Sequence, residues 1–142
     1  MLTGQTLEMV KEATGLNDGQ ISKLHPGLEK LFSNAPKFLT YQIVAEVLKS
    51  EHCFAQVKAG DKLIFDPMLN PQKSTGAMCP KALLPVLIQI SAIWEMVAEW
   101  AESGKEDLPE IVWRNVRCLD PGLGDGGVGG VVYKIRLEKI PS

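Results

Sequence analysis

Three cysteines, Cys53, Cys79 and Cys118, are the residues of this chain best suited to chemistry. A thiolate is both a nucleophile and a soft metal ligand. None of the three belongs to a C-x-x-C pair, so they do not form the paired knuckles of a zinc ribbon. Each falls instead at the expected end of an element. Cys53 follows a strand, Cys79 precedes a helix and Cys118 closes a later strand. If the fold gathers those ends, Cys53, Cys79 and Cys118 with His52 supply a donor set for zinc. The three thiolates alone supply one for an iron–sulfur cluster with one open iron, although the usual cluster has four cysteine ligands. Cys79 is the best single thiolate candidate, and hence a candidate catalytic nucleophile. Pro80 at the first helical position makes Cys79 the N-cap, where the helix dipole favours negative charge. The competing reading is that free cysteine behaves as a small buried hydrophobe.

The other candidates carry less. His52 adjoins Cys53, but neighbours along a strand point to opposite sides, so a Cys–His nucleophile pair requires a loop conformation. His25, before Pro26, reads as a surface or capping residue. Gly122, Gly124 and Gly127 spell G-x-G-x-x-G. A dinucleotide site needs a helix directly after that motif, whereas a β-patterned segment follows, so a hairpin loop or a flap is expected. Asp61, Asp66, Asp120 and Asp125 sit at turns, where aspartate serves the backbone. Trp94 belongs to a helical apolar stripe. Trp100 lies off it and is a candidate for packing against the N-terminal helices or another subunit; Trp113 is a third large apolar residue.

The elements that must position these groups follow from periodicity. Residues 1–40 read as an N-terminal helical segment. One helix is capped by Thr6 and ended by Gly15, and another, after His25-Pro26-Gly27, is stopped by Asn34 and Pro36. From Tyr41 the period changes to two. "YQIVAEVLK" is a strand buried partly on both faces, and Lys62–Asp66 is a second strand after a Gly-Asp turn. Pro80–Glu102 is the clearest helix, with Leu83, Leu87, Ile90, Trp94, Val97 and Ala101 in one stripe and Gly104 at its end. Pro85 is expected near the first turn, where its missing N–H costs little. "IVWRNVRCL" and "VVYKIRLEKI" are the last two strands. Each strand pair runs strand, cysteine, glycine turn, strand, a weak internal echo.

Length and composition set the class. The 142 residues suit one domain, with 45% hydrophobic and 23% charged residues. The formal charge of −2 and the lack of any Lys/Arg block speak against nucleic acid. The apolar run at 82–101 carries Glu95 and Glu99, as a core helix does, so no membrane partner is expected. An odd cysteine count with no signal-peptide pattern leads to the expectation of a cytoplasmic protein with reduced thiols. The fold expected is α+β: a mainly antiparallel four-stranded sheet of order ββαββ with one long packed helix, over residues 41–142, in one unit with the helical segment.

Several motifs resemble a family of small, uncharacterised prokaryotic proteins with three motif cysteines. They are Cys53 ahead of "AGDKLIFD", "GAMCP" at the helix start, "VRCLD", and "VVYKI" in the last strand. The resemblance spans Tyr41 to Ile140. The chain departs from it in its helical preface and in a longer glycine run. The resemblance implies no reaction, but it puts all three thiols on motif positions. Three functions are therefore expected as alternatives. The first is an accessory protein or enzyme-complex subunit with a three-cysteine zinc or iron–sulfur site. The second is a metal-free protein-interaction or homo-oligomerisation module. The third is a small enzyme with Cys79 as nucleophile.

Overall fold

The computed structural model describes residues 1–108 and 111–142, excepting the side chains at 111–114; that of Trp113 is thus outside the described residues. The fold is α+β, with a four-stranded antiparallel sheet, a long helix and N-terminal helices. The four N-terminal helices are α1 (Gly4–Thr14), α2 (Asp18–Ile21), α3 (Pro26–Ser33) and α4 (Ala35–Phe38). They are followed by β1 (Tyr41–Glu51), β2 (Lys62–Phe65), α5 (Pro80–Ser103), β3 (Ile111–Arg117) and β4 (Gly130–Lys139).

Local chemistry explains the helix ends. Helix α1 starts after Thr3, three residues earlier than the Thr6 expectation, and Gly15 closes it at φ 71°. Helix α2 opens with a reciprocal capping box between Asn17 and Gln20. His25 caps α3, its Nδ1 accepting the Gly27 N–H at 3.0 Å, as the capping reading anticipated. Asn34 ends α3, but Pro36 stops nothing. It sits in the first turn of α4, where a proline needs no N–H partner.

The sheet order is β2-β1-β4-β3, every neighbouring pair antiparallel. Tyr41, Ile43, Ala45 and Val47 of β1 and Val131, Tyr133, Ile135 and Leu137 of β4 are buried on the face that α5 covers. Val44, on the opposite face, is buried too, beside Arg136, which binds Glu46 and Glu138. That accounts for a strand apolar on both sides.

Helix α5 buries Ala82, Val86, Ile90, Ile93, Val97, Trp100 and Ala101. The buried face is turned by about a residue from the expected stripe. Leu87 is exposed, and Leu83 and Trp94 are half-buried. Because α5 is apolar nearly all round its first half, periodicity alone leaves its phase open. Trp100 is buried, and its indole N–H donates to the Asp107 carbonyl at 2.8 Å. It therefore offers no surface to a partner. Helix α5 is long and apolar enough to cross a membrane by length and composition; here one face packs on the sheet and on α3. Leu31, Ala35 and Phe38 join that main core, while Leu2, Val10 and Ile21 form a second cluster among the first helices.

Candidate functional site

The strand order brings the cysteines to one end of the molecule. Strands β1 and β3 are each antiparallel to β4, so they run parallel to each other with β4 between them. Their C-terminal ends lie at the same edge, about 10 Å apart at the usual strand spacing. Cys53 lies two residues beyond the end of β1, and Cys118 directly follows β3. The two hairpins are thus related by a shift across the sheet, and the sequence echo places Cys53 and Cys118 at matching corners.

Helix α5 supplies Cys79 at that edge through a hydrogen bond that a proline makes possible. Pro85 is the sixth residue of α5, beyond the first turn. Its N–H would ordinarily reach the carbonyl of Lys81, and proline has none. The Lys81 carbonyl instead accepts the Leu119 N–H at 3.0 Å. This bond ties the segment after Cys118 to the first turn of α5, next to Cys79. Cys79 is the N-cap, its carbonyl accepting the N–H groups of Ala82 and Leu83 at 3.0 and 2.9 Å. Its side chain makes no capping bond, which leaves the sulfur to the space beside the helix.

Cys118 is held from both sides. Its N–H donates to the Val131 carbonyl at 2.9 Å, and its Sγ accepts the Val131 N–H at 3.3 Å. Cys53 is placed by an irregular turn. Leu48 is an extra residue in β1, forming a bulge that puts Ser50 opposite Val131. His52 then takes φ 49° and Gln56 φ 59°, left-handed conformations uncommon outside glycine. Gly129 lets this turn close down on the sheet, because a Cβ there would strike the Glu51 carbonyl oxygen.

These arrangements make one pocket of about 490 Å³, and all three cysteines line it. Val57, Ala82 and Val131 form its apolar wall, Phe54 and Val128 its rim, and Lys81 and Asp120 its charged edge. Phe54 is 89% exposed. The glycine run supplies one side through Gly126 and Gly127, and it leads into β4 with no helix after it. It is a hairpin loop pinned by Asp120, whose Oδ1 accepts the N–H groups of Gly122 and Val128 at 2.9 and 3.0 Å. These bonds, the Gly122 one foremost, hold the Asp120 carboxyl below its usual pKa, and the charge of Lys81 adds to the effect. Asp61 and Asp66 likewise accept backbone N–H groups in their turns.

Tyr133 lies close to this group. Its side chain is 1% exposed. Burial first, then the charges of Cys53, Cys79, Cys118 and Asp61, push its phenol from 10.0 up to about 12. Its hydroxyl is therefore within electrostatic reach of all three sulfurs. The alternation of β4 marked Tyr133 only as core; its proximity to the thiols follows from β4 standing between β1 and β3.

His52 is exposed and is not among the residues lining the pocket. Among the described residues, no three His, Cys, Asp or Glu side chains stand together as a set that could hold a metal ion. The three thiols share a pocket without closing on one point. No family model, curated protein or solved structure matches the chain.

Proposed function

We propose that the chain is a small cytoplasmic accessory protein, or a subunit of an enzyme complex, whose Cys53, Cys79 and Cys118 hold an iron–sulfur cluster. The observation that carries this reading is that three cysteines remote in sequence, each at the end of a different element, line one apolar pocket. A single zinc ion needs every ligand sulfur about 2.3 Å from one point, and the thiols are not so gathered. A cluster of several metal atoms spaces its thiolates more widely, which suits corners separated by an intervening strand. The Val131 N–H on the Cys118 sulfur is the kind of bond that tunes a cluster's potential. Lys81 and the N-terminus of α5 offset the negative charge that thiolates and sulfide bring. Three thiolates leave one iron for a further ligand. The motif resemblance to the three-cysteine family supports treating the thiols as one set, and a cytoplasmic setting keeps them reduced. His52 is left outside the set.

The test is purification without oxygen, followed by iron and sulfide analysis and a visible spectrum. Bound iron and sulfide with a broad charge-transfer band are expected, and Cys→Ser at each of the three positions should abolish the band. Anaerobic protein without iron, in which each substitution leaves the spectrum unchanged, overturns the proposal.

A second reading rests on a different observation. The Cys79 side chain takes no part in its helix cap and lines an apolar pocket beside Lys81. In that reading Cys79 is the nucleophile of a small enzyme acting on an apolar electrophile. Alkylation by a small apolar electrophile should then label Cys79 well ahead of Cys53 and Cys118. Equal labelling of the three contradicts it.

A further inference from the structure

The outward face of α5 carries a pattern that the sheet leaves uncovered and that the pocket shares only at Lys81. Lys81, Leu84, Ile88, Ser91 and Glu95 are all exposed. Their spacing of three, four, three and four residues is that of a coiled-coil seam. Leu84 and Ile88 are 56% and 59% exposed, with Leu87 beside them. The seam is self-complementary about Ile88. Lys81 stands seven residues before it and Glu95 seven residues after it, each about 10 Å along the axis. Among the described residues, neither Lys81 nor Glu95 enters a salt bridge within the chain.

We infer that this face binds the same face of a second copy of the chain, with the two α5 helices antiparallel and a two-fold axis at Ile88. Ile88 then meets its counterpart, Leu84 covers the small Ser91 of the other copy, and Lys81 meets the other copy's Glu95. This is an isologous interface, in which each contact occurs twice. A parallel arrangement would oppose like charges at both ends. Leu119, also exposed, is tied to the start of this face by its N–H bond to the Lys81 carbonyl. A bilayer would accept the leucines but would leave Ser91 and Glu95 without partners.

The pairing is independent of the cluster, yet it touches the same site. Lys81 lines the thiol pocket, so the second copy's Glu95 comes to the pocket's edge and closes that side against water.

Sedimentation velocity on the full chain, over a range of concentrations and salt, tests the inference. A dimer is expected, weakening as salt rises. Ile88→Glu should give a monomer with an unchanged circular dichroism spectrum, because the residue is exposed in the monomer. Lys81→Glu should raise the dimer dissociation constant tenfold or more, and Lys81→Glu with Glu95→Lys should recover most of that loss. A wild-type chain that stays monomeric at high concentration overturns the inference, whether or not it sediments with lipid vesicles. So does a dimer that survives Ile88→Glu, or a double variant no tighter than Lys81→Glu alone.

Discussion

Replacing Pro85 by alanine tests how the thiol edge is assembled. Proline inside a helix is less favourable than alanine by about 3 kcal/mol. Part of that is offset, because proline also restricts the unfolded chain, an effect worth about 0.4–1 kcal/mol. Pro85→Ala should therefore stabilise α5 by about 2 kcal/mol if nothing else changed. The restored N–H at position 85, however, competes for the Lys81 carbonyl, which accepts the Leu119 N–H at 3.0 Å. Weakening that bond costs about 0.5–1.5 kcal/mol, leaving a net gain of about 1 kcal/mol. Denaturant unfolding measures the net change, and amide exchange followed by NMR locates it. The Leu119 amide should lose about five- to tenfold of its protection relative to the core strands, as expected for a loss of about 1–1.4 kcal/mol. A global gain of 2 kcal/mol or more with Leu119 fully protected is the contrary outcome. It would mean that the Lys81 carbonyl serves both donors and that Pro85 does not free it.

Two pH effects follow from the same region. The Tyr133 phenol is raised from 10.0 to about 12, so its contribution to stability is complete below pH 10 and is lost as pH climbs toward 12. Spectroscopic titration should show a late phenolate component that Tyr133→Phe removes, and phenolate formed wholly near pH 10 in folded protein would contradict the buried placement. The Asp120 carboxyl is held low, so its hold on the glycine loop is present at and above the usual carboxylate range and is lost as pH falls through the lowered value. Asp120→Ala should speed exchange of the Gly122 and Val128 amides at neutral pH while Asp120→Asn, which keeps an acceptor, changes them little; equal effects of the two would contradict the pinning.

Much of the frame was legible because it rests on local chemistry. Cys79-Pro80 and Gly104 bracket α5 closely, since a proline at the first position and a left-handed glycine are strong boundary signals. The alternation in β1 and β4 marks their buried faces correctly. The phase of α5 was not legible. Leu84, Leu87 and Ile88 are as apolar as the residues that the sheet covers, and only the tertiary packing chooses among them. Trp100, off the expected stripe, left packing on the N-terminal helices or on another subunit open, and it lies in the core with Leu31, Ala35 and Phe38. The turned face and the chain's return at Asp107 bury it. The meeting of the cysteines depended on something no local pattern encodes, the insertion of β4 between β1 and β3. One local clue was present. Pro85 stands four residues after Lys81, and that spacing frees a carbonyl at the helix start for the partner it finds in Leu119.

On the proposed function, Cys53, Cys79 and Cys118 act as one ligand set. Iron and acid-labile sulfide, measured per chain on anaerobically purified protein before and after the Cys118→Ser substitution, test it most directly. The wild type should carry near-equal amounts of iron and sulfide, and the variant should lose both. Wild-type protein free of iron and sulfide, with all three thiols independently open to alkylation, would contradict it.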